Sequence, residues 1–264
     1  MTRTPRWAQI WSILRIAAAL LIGAAIIAQA SRTIGGAIDA RGDVLTTTVN
    51  FFSFFTILSN VLSVVVLAWA AIWFWTRGRD TAVDRAAPRG VARLADTASR
   101  PEPRVLATLL ACATTYMIVT GIVYNLLLRS IALPQGTTVP WSNEVLHVVG
   151  PLFLLADLFL APRRRALPWR AVAEIVVVPL LWVVYTLLRG PLTTSPSTGD
   201  PFWYPYPFLN PNNFDNGYGA VAVYVVGIAV VIALAAWLTV GVGRRRGAAE
   251  PTTDDDVVAA RSAV

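Results

Sequence analysis

The stretch NFFSFFTILSNVLSVVVLAWAAIWFW, Asn50 to Trp75, decides the fold. It carries no charged residue, and it exceeds the ~20 residues of helix that cross a bilayer's hydrocarbon core. No water is available there, so every backbone N–H and C=O must be bonded within the protein, and an apolar run of this length is a helix. Five further blocks read the same way, giving spans over Trp7–Ala30, Val49–Trp75, Val105–Leu128, Glu144–Ala161, Arg170–Leu188 and Tyr218–Val240. Composition agrees: 56% of the 264 residues are hydrophobic and only 14% are charged, whereas a soluble domain is about a quarter charged. The expectation is an all-α integral membrane protein. Six transmembrane helices fill residues 1–246, and 247–264 form a disordered cytoplasmic tail.

Every basic residue is arginine, 22 in all, and the formal charge is +7. The placement of that charge argues for a membrane rather than for nucleic acid. Seventeen arginines lie before the first span, between spans two and three, between four and five, or after the sixth. The opposite side holds Arg32, Arg41, Arg129 and Arg189, and Arg15 is inside a span. Arginine accumulates on the cytoplasmic side of membrane proteins, so both termini are expected there. An even number of spans requires the same. A multipass protein of the bacterial plasma membrane is the expectation. Arg3, Arg6 and the later AQAS (28–31) mimic a signal peptide, but the apolar run between them is too long and is interrupted by Arg15. The arginine-rich inner loop 76–104 reads as mobile.

The opening stretch is not uniformly apolar. At 100° per residue, Ser53, Thr56, Ser59, Asn60 and Ser63 fall within an arc of roughly 120° on one helix. Such a stripe faces protein and leaves an apolar back for lipid. Helix packing explains it as readily as chemistry does, because hydroxylated residues are common at membrane helix interfaces.

His147, the only histidine, gives the stripe a second meaning. It stands about one turn inside span four, in WSNEVLHVVGP (141–151). Ionisable groups inside spans usually face the bundle and serve function, and imidazole exchanges a proton near neutral pH. Pro151, four residues on, has no N–H for the His147 carbonyl and opens the helix there. Counting about 1.5 Å per residue from the outer ends of the spans, Thr56 lies about 9 Å down and His147 about 6 Å. A hydroxyl and an imidazole at one level can act as nucleophile and base.

Other polar groups divide by depth. Tyr116, Thr120 and Tyr124 share a face of span three and are expected to line the same cavity, with Ser53, Ser59, Asn60, Trp141 and Asn143. Arg15, Asp157 and Glu174 lie near the cytoplasmic ends and are expected to form a mutual ion-pair set that keeps charge from lipid. The outer loop 189–217 contains six prolines and six aromatics, which suits a stiff interfacial cap and equally the lid or wall of a lipid-access cavity. Glu144 and His147 make one E-x-x-H, but di-iron bundles need a second such pair. One histidine and one cysteine do not furnish a zinc site. No metal and no cofactor are expected.

FFTILSN (54–60), NEVLH (143–147) and WYPYPFL (203–209), set in six spans, resemble the androgen-induced and androgen-dependent TFPI-regulating proteins in their prokaryotic branch. The likeness covers roughly residues 10–240. It implies a multipass threonine hydrolase that cleaves fatty acid esters of hydroxy fatty acids, with a membrane lipid or lipid ester as partner. It also implies that Thr56 is the nucleophile and His147 the base. The oxyanion-stabilising group stays open among Asn60, Asn143, Tyr124 and Trp141. The alternative is a transporter or lipid-binding multipass protein without catalysis, which the hydroxylated stripe, the proline-broken span and the buried charges would equally serve.

Overall fold

The computed structural model describes residues 6–78, 102–131, 138–162 and 164–247. The expected disordered tail after Gly247, and all but the ends of the expected mobile inner loop, lie outside them. The described residues are helical and contain no strand. Six helices among them are long and apolar enough to span a membrane. In chain order the elements are α1 (Arg6–Asp39), α2 (Val44–Ser53), α3 (Phe55–Trp73), α4 (Arg104–Val123), α5 (Pro140–Glu144), α6 (Gly150–Leu160), α7 (Ala171–Arg189) and α8 (Tyr218–Gly247). Wider π-helical turns extend α3 through Phe74–Gly78 and α4 through Tyr124–Leu128, and a third, Val145–Val149, joins α5 to α6.

The helix α4 is central and packs on α3, α6, α7 and α8. Its sequence explains why. Ala107, Ala111, Cys112, Ala113, Thr114 and Thr115 are small and buried, and small residues let membrane helices approach closely. The Thr114 hydroxyl is satisfied locally, donating to Leu110 O at 2.7 Å, and that of Thr115 reaches across to Thr239 of α8. Gly121 allows a close approach, since a Cβ there would meet Pro151 of α6 at 3.1 Å. One side of α4 is covered by α3, with α1 packed behind it; α7 and α8 pair on the other side. The outward faces carry Leu20, Leu181, Val223 and Leu238, all more than half exposed, an exterior suited to lipid rather than water.

A buried ionic cluster ties α1 to α6. Arg15 Nε donates to Asp157 Oδ1 at 2.7 Å and Arg15 Nη1 to Glu102 Oε1 at 3.1 Å. Trp11 Nε1 and Arg164 also donate to Asp157. Glu174 does not join this cluster, contrary to expectation. It stands in the first turn of α7 and meets Arg104 and Arg170 at 3.6 and 3.9 Å on the surface. A carboxylate there is favoured by the helix dipole, and Glu102 and Arg164, from segments flanking the spans, complete the buried set instead.

The second span also departs from expectation. It is not one helix over 49–75: the chain breaks at Phe54, whose ψ of 127° is extended. No glycine or proline causes this. The Phe54 ring is instead held edge-on by Trp203 and Tyr206, each at 5.6 Å. The backbone groups that the break frees find side-chain partners. Trp182 Nε1 donates to Ser53 O at 2.9 Å, and the Thr56 N–H donates to the Tyr206 phenol at 3.2 Å. These partners come from α7 and from the loop that follows it. In that loop Trp203, Tyr204, Tyr206, Phe208 and Leu209 are buried, so it descends into the bundle. Gly190 permits its start, because a Cβ there would lie 2.2 Å from the Tyr204 ring.

Candidate active site

Thr56 is the second residue of α3, and His147 sits in the π-helical turn between α5 and α6. That turn follows from Pro151. Gly150 N–H reaches back five residues to Val145 O, and proline has no N–H to continue the ladder. The carbonyls of Leu146 and His147 therefore need donors from elsewhere. Asn60 Nδ2 supplies the first at 3.2 Å and Asn125 Nδ2 the second at 3.4 Å.

Thr56 Oγ1 lies 3.3 Å from His147 Nε2. On the other side of the ring, His147 Nδ1 lies 2.9 Å from Asn143 O. A carbonyl only accepts, so Nδ1 carries the proton and the Nε2 lone pair faces the threonine hydroxyl. Both groups are buried, at 8% and 7% exposure. The Tyr124 ring stacks on the imidazole with centroids 3.8 Å apart, and the Tyr124 phenol accepts from Asn143 Nδ2. Ring and backbone thus fix the imidazole in plane and in tautomer.

Tyr206 completes the contacts of the hydroxyl. Its Oη is 3.2 Å from Thr56 Oγ1 and 3.2 Å from the Thr56 N. One consistent donor chain results: Thr56 N–H to Tyr206, Tyr206 O–H to Thr56 Oγ1, Thr56 O–H to His147, and His147 N–H to Asn143 O.

Two cavities meet at Thr56 and Tyr206. The larger, about 60 Å³, runs between α4, α7 and α8 past Thr120, Tyr124, Pro179, Trp182 and Ile232 and is mostly apolar. The smaller, about 30 Å³, is lined by Gln29, Thr138, Asn143 and His147 among others. It has room and polar partners for water.

The other expected site residues separate. Thr120 and Tyr124 line the larger cavity and Asn143 the smaller. Ser59 and Asn60 are behind Thr56, donating to its carbonyl at 3.0 and 2.8 Å. Three expected lining residues are corrected. Ser53 lies beyond the helix break and bonds to Tyr185 at 2.9 Å. Tyr116 turns toward α7 and donates to Ile175 O at 2.7 Å. Trp141 is 49% exposed at the first turn of α5. Glu144 pairs with Arg129 at 2.6 Å on the surface, away from the imidazole. Tyr206 and Trp182 carried no role in the sequence reading, although Tyr206 lies within the WYPYPFL segment. Comparison with models of known families, with curated proteins and with solved structures gave no match.

Proposed function

We propose that this chain is an intramembrane hydrolase of lipid esters in which Thr56 is the nucleophile and His147 the base. The observation that carries the reading is the 3.3 Å approach of Thr56 Oγ1 to a His147 Nε2 whose lone pair is turned toward it by the Nδ1 bond to Asn143 O. A nucleophile and a base within hydrogen-bond reach, with the base oriented by a third group, is the arrangement that activates a hydroxyl. The resemblance to threonine hydrolases of fatty acid esters of hydroxy fatty acids supports the same two residues. The apolar cavity beside Thr56 suits the hydrocarbon of an acyl chain. The distribution of arginines supports insertion in a bacterial plasma membrane with both termini cytoplasmic, which sets the site near the outer face.

In this mechanism Thr56 Oγ1 bonds to the ester carbonyl carbon while its proton passes to His147 Nε2. The carbonyl electron pair moves onto oxygen. When that pair returns, the bond to the alkoxy group breaks, and the leaving alcohol takes the proton from His147. Water repeats the sequence on the acyl-threonine, giving the free acid and restoring the hydroxyl.

The test uses the purified full chain in detergent, a fatty acid ester of a hydroxy fatty acid, and a fluorophosphonate probe. Wild type hydrolyses the ester and is labelled at Thr56. Thr56→Ala abolishes both, and His147→Gln slows hydrolysis about 10²–10⁴-fold. Equal labelling after Thr56→Ala overturns the reading. The apolar cavity also favours a second reading, lipid binding or transport without chemistry; its signature is lipid binding by wild type and Thr56→Ala alike with no turnover by either.

A further inference from the structure

An ester carbonyl attacked at Thr56 needs a donor for the charge that develops on its oxygen, and four residues stood open for that role. The structure withdraws two of them. Asn60 spends its amide on the carbonyls of Thr56 and Leu146, and Trp141 is exposed at the first turn of α5. Asn143 directs its amide to the Tyr124 phenol, and the Tyr124 ring is stacked flat on the imidazole. The hydroxyl's remaining neighbour comes from the outer loop.

We infer that Tyr206 is the oxyanion donor, with the Thr56 N–H polarising its phenol. This rests on the hydrolase reading above. The break at Phe54 makes Thr56 the second residue of α3, so its N–H has no carbonyl within the helix. The N-cap position offers no side-chain acceptor. That N–H is donated instead to Tyr206 Oη at 3.2 Å, while the same Oη lies 3.2 Å from the nucleophilic oxygen. The helix dipole places partial positive charge at this N-terminus. A phenol that accepts from such a group becomes a stronger donor through its own O–H. Burial raises the Tyr206 phenol above its ordinary value, against the opposing pull of the Thr56 hydrogen bonds, so the proton stays on.

Position and rigidity fit the role. In the tetrahedral intermediate the oxyanion is one bond beyond the carbon attached to Thr56 Oγ1, within reach of a donor that already touches Oγ1. As the Thr56 proton leaves for His147, the Tyr206 O–H transfers its hydrogen bond from the threonine oxygen to the oxyanion, and no covalent bond to Tyr206 forms or breaks. The ring is held in place beforehand. It stacks on Phe208 at 5.3 Å, meets Phe54 at 5.6 Å and tilts against Trp182 at 6.0 Å. Donors fixed before the reaction cost no reorganisation when charge appears.

Tyr206→Phe removes one oxygen and keeps the ring packing, so it isolates the donor. With the ester substrate, kcat is expected to fall about 10²–10³-fold, the loss that accompanies removal of one oxyanion donor, while KM moves less than about threefold. A long-chain trifluoromethyl ketone, which forms a tetrahedral oxyanion on the nucleophile, is expected to lose affinity by the same factor as kcat/KM. A role confined to capping α3 would not produce that correspondence. Tyr204→Phe is the control: its phenol, from the same loop, bonds to Tyr218 at the start of α8, and its kcat stays within about threefold of wild type. The inference is overturned by Tyr206→Phe with near-wild-type kcat. It is equally overturned by a kcat loss with undiminished ketone affinity. Those outcomes spare the hydrolase reading as long as wild type cleaves the ester and is labelled at Thr56. A wild type that does neither removes the hydrolase reading, and the oxyanion assignment falls with it.

Discussion

Asn60 makes no bond to the Thr56 hydroxyl, yet it connects the two elements that bear Thr56 and His147, the proposed reacting pair. It is fully buried, and its amide donates to Thr56 O at 2.8 Å and to Leu146 O at 3.2 Å. Both bonds run to carbonyls, which settles which end of the amide faces them. Asn60→Ala leaves Leu146 O without this donor, at a cost of about 1–3 kcal/mol, while Thr56 O keeps the Ser59 hydroxyl. Thermal unfolding in detergent is expected to show a lower midpoint, and kcat to drop on the order of 10²-fold as the pair loosens. Asn125→Ala is the comparison. That side chain is exposed and reaches His147 O only at 3.4 Å, so its loss is expected to change stability by no more than about 0.5 kcal/mol. A stable, active Asn60→Ala would remove the clamp. At this scale the sequence reveals a buried polar stripe and a lone histidine at one depth, because helical spacing and span entry points are local properties. It does not reveal which stripe member faces the imidazole. Ser53 is lost to the far side of a helix break, and Trp141 carries no sign that it stays at the surface.

Among the elements, two prolines act alike. Each removes an N–H from a helix, and in each case a side chain of the central helix serves a carbonyl so freed. Pro151 frees His147 O, which Asn125 approaches. Pro179, inside α7, has no N–H for Ile175 O, and the Tyr116 phenol donates there at 2.7 Å. Tyr116→Phe is therefore expected to destabilise the fold by about 1–3 kcal/mol, the cost of an unsatisfied buried acceptor. In a Pro179→Ala background the restored N–H can take over Ile175 O, and the same Tyr116→Phe change should then cost much less. A double-mutant cycle on unfolding midpoints measures this coupling; strictly additive effects would exclude the exchange. The six long helices are readable from sequence because apolar length alone announces them, while α1 runs on to Asp39 and α8 to Gly247, beyond the expected spans. The break at Phe54 is not readable. It has no proline or glycine signal and depends on aromatic packing with residues about 150 positions away in the chain.

At the level of the whole molecule, the described bundle has two different ends. One holds the Thr56–His147–Tyr206 contacts under an aromatic loop, and the other holds the Arg15–Asp157 cluster, with Arg244 and Arg246 capping carbonyls nearby. In the sequence, seventeen of the 22 arginines belong to the segments expected on the cytoplasmic side, the side of the second end. Anionic lipid and the translocation machinery both favour keeping that side in the cytoplasm. The prediction follows from charge rather than from the site, so it stands or fails separately from the chemistry. Cys112 is the only cysteine and is buried, which allows a Cys112→Ala background in which one introduced thiol reports its own location. Asn212 in the outer loop and Arg245 in the last turn of α8 are both exposed. In intact cells a membrane-impermeant maleimide is expected to label Asn212→Cys and to leave Arg245→Cys unmodified; after permeabilisation both are labelled. The reverse pattern would invert the protein. It would carry the proposed hydrolytic site to the cytoplasmic leaflet and leave the arginine-rich end outside, against the bias that membrane insertion imposes.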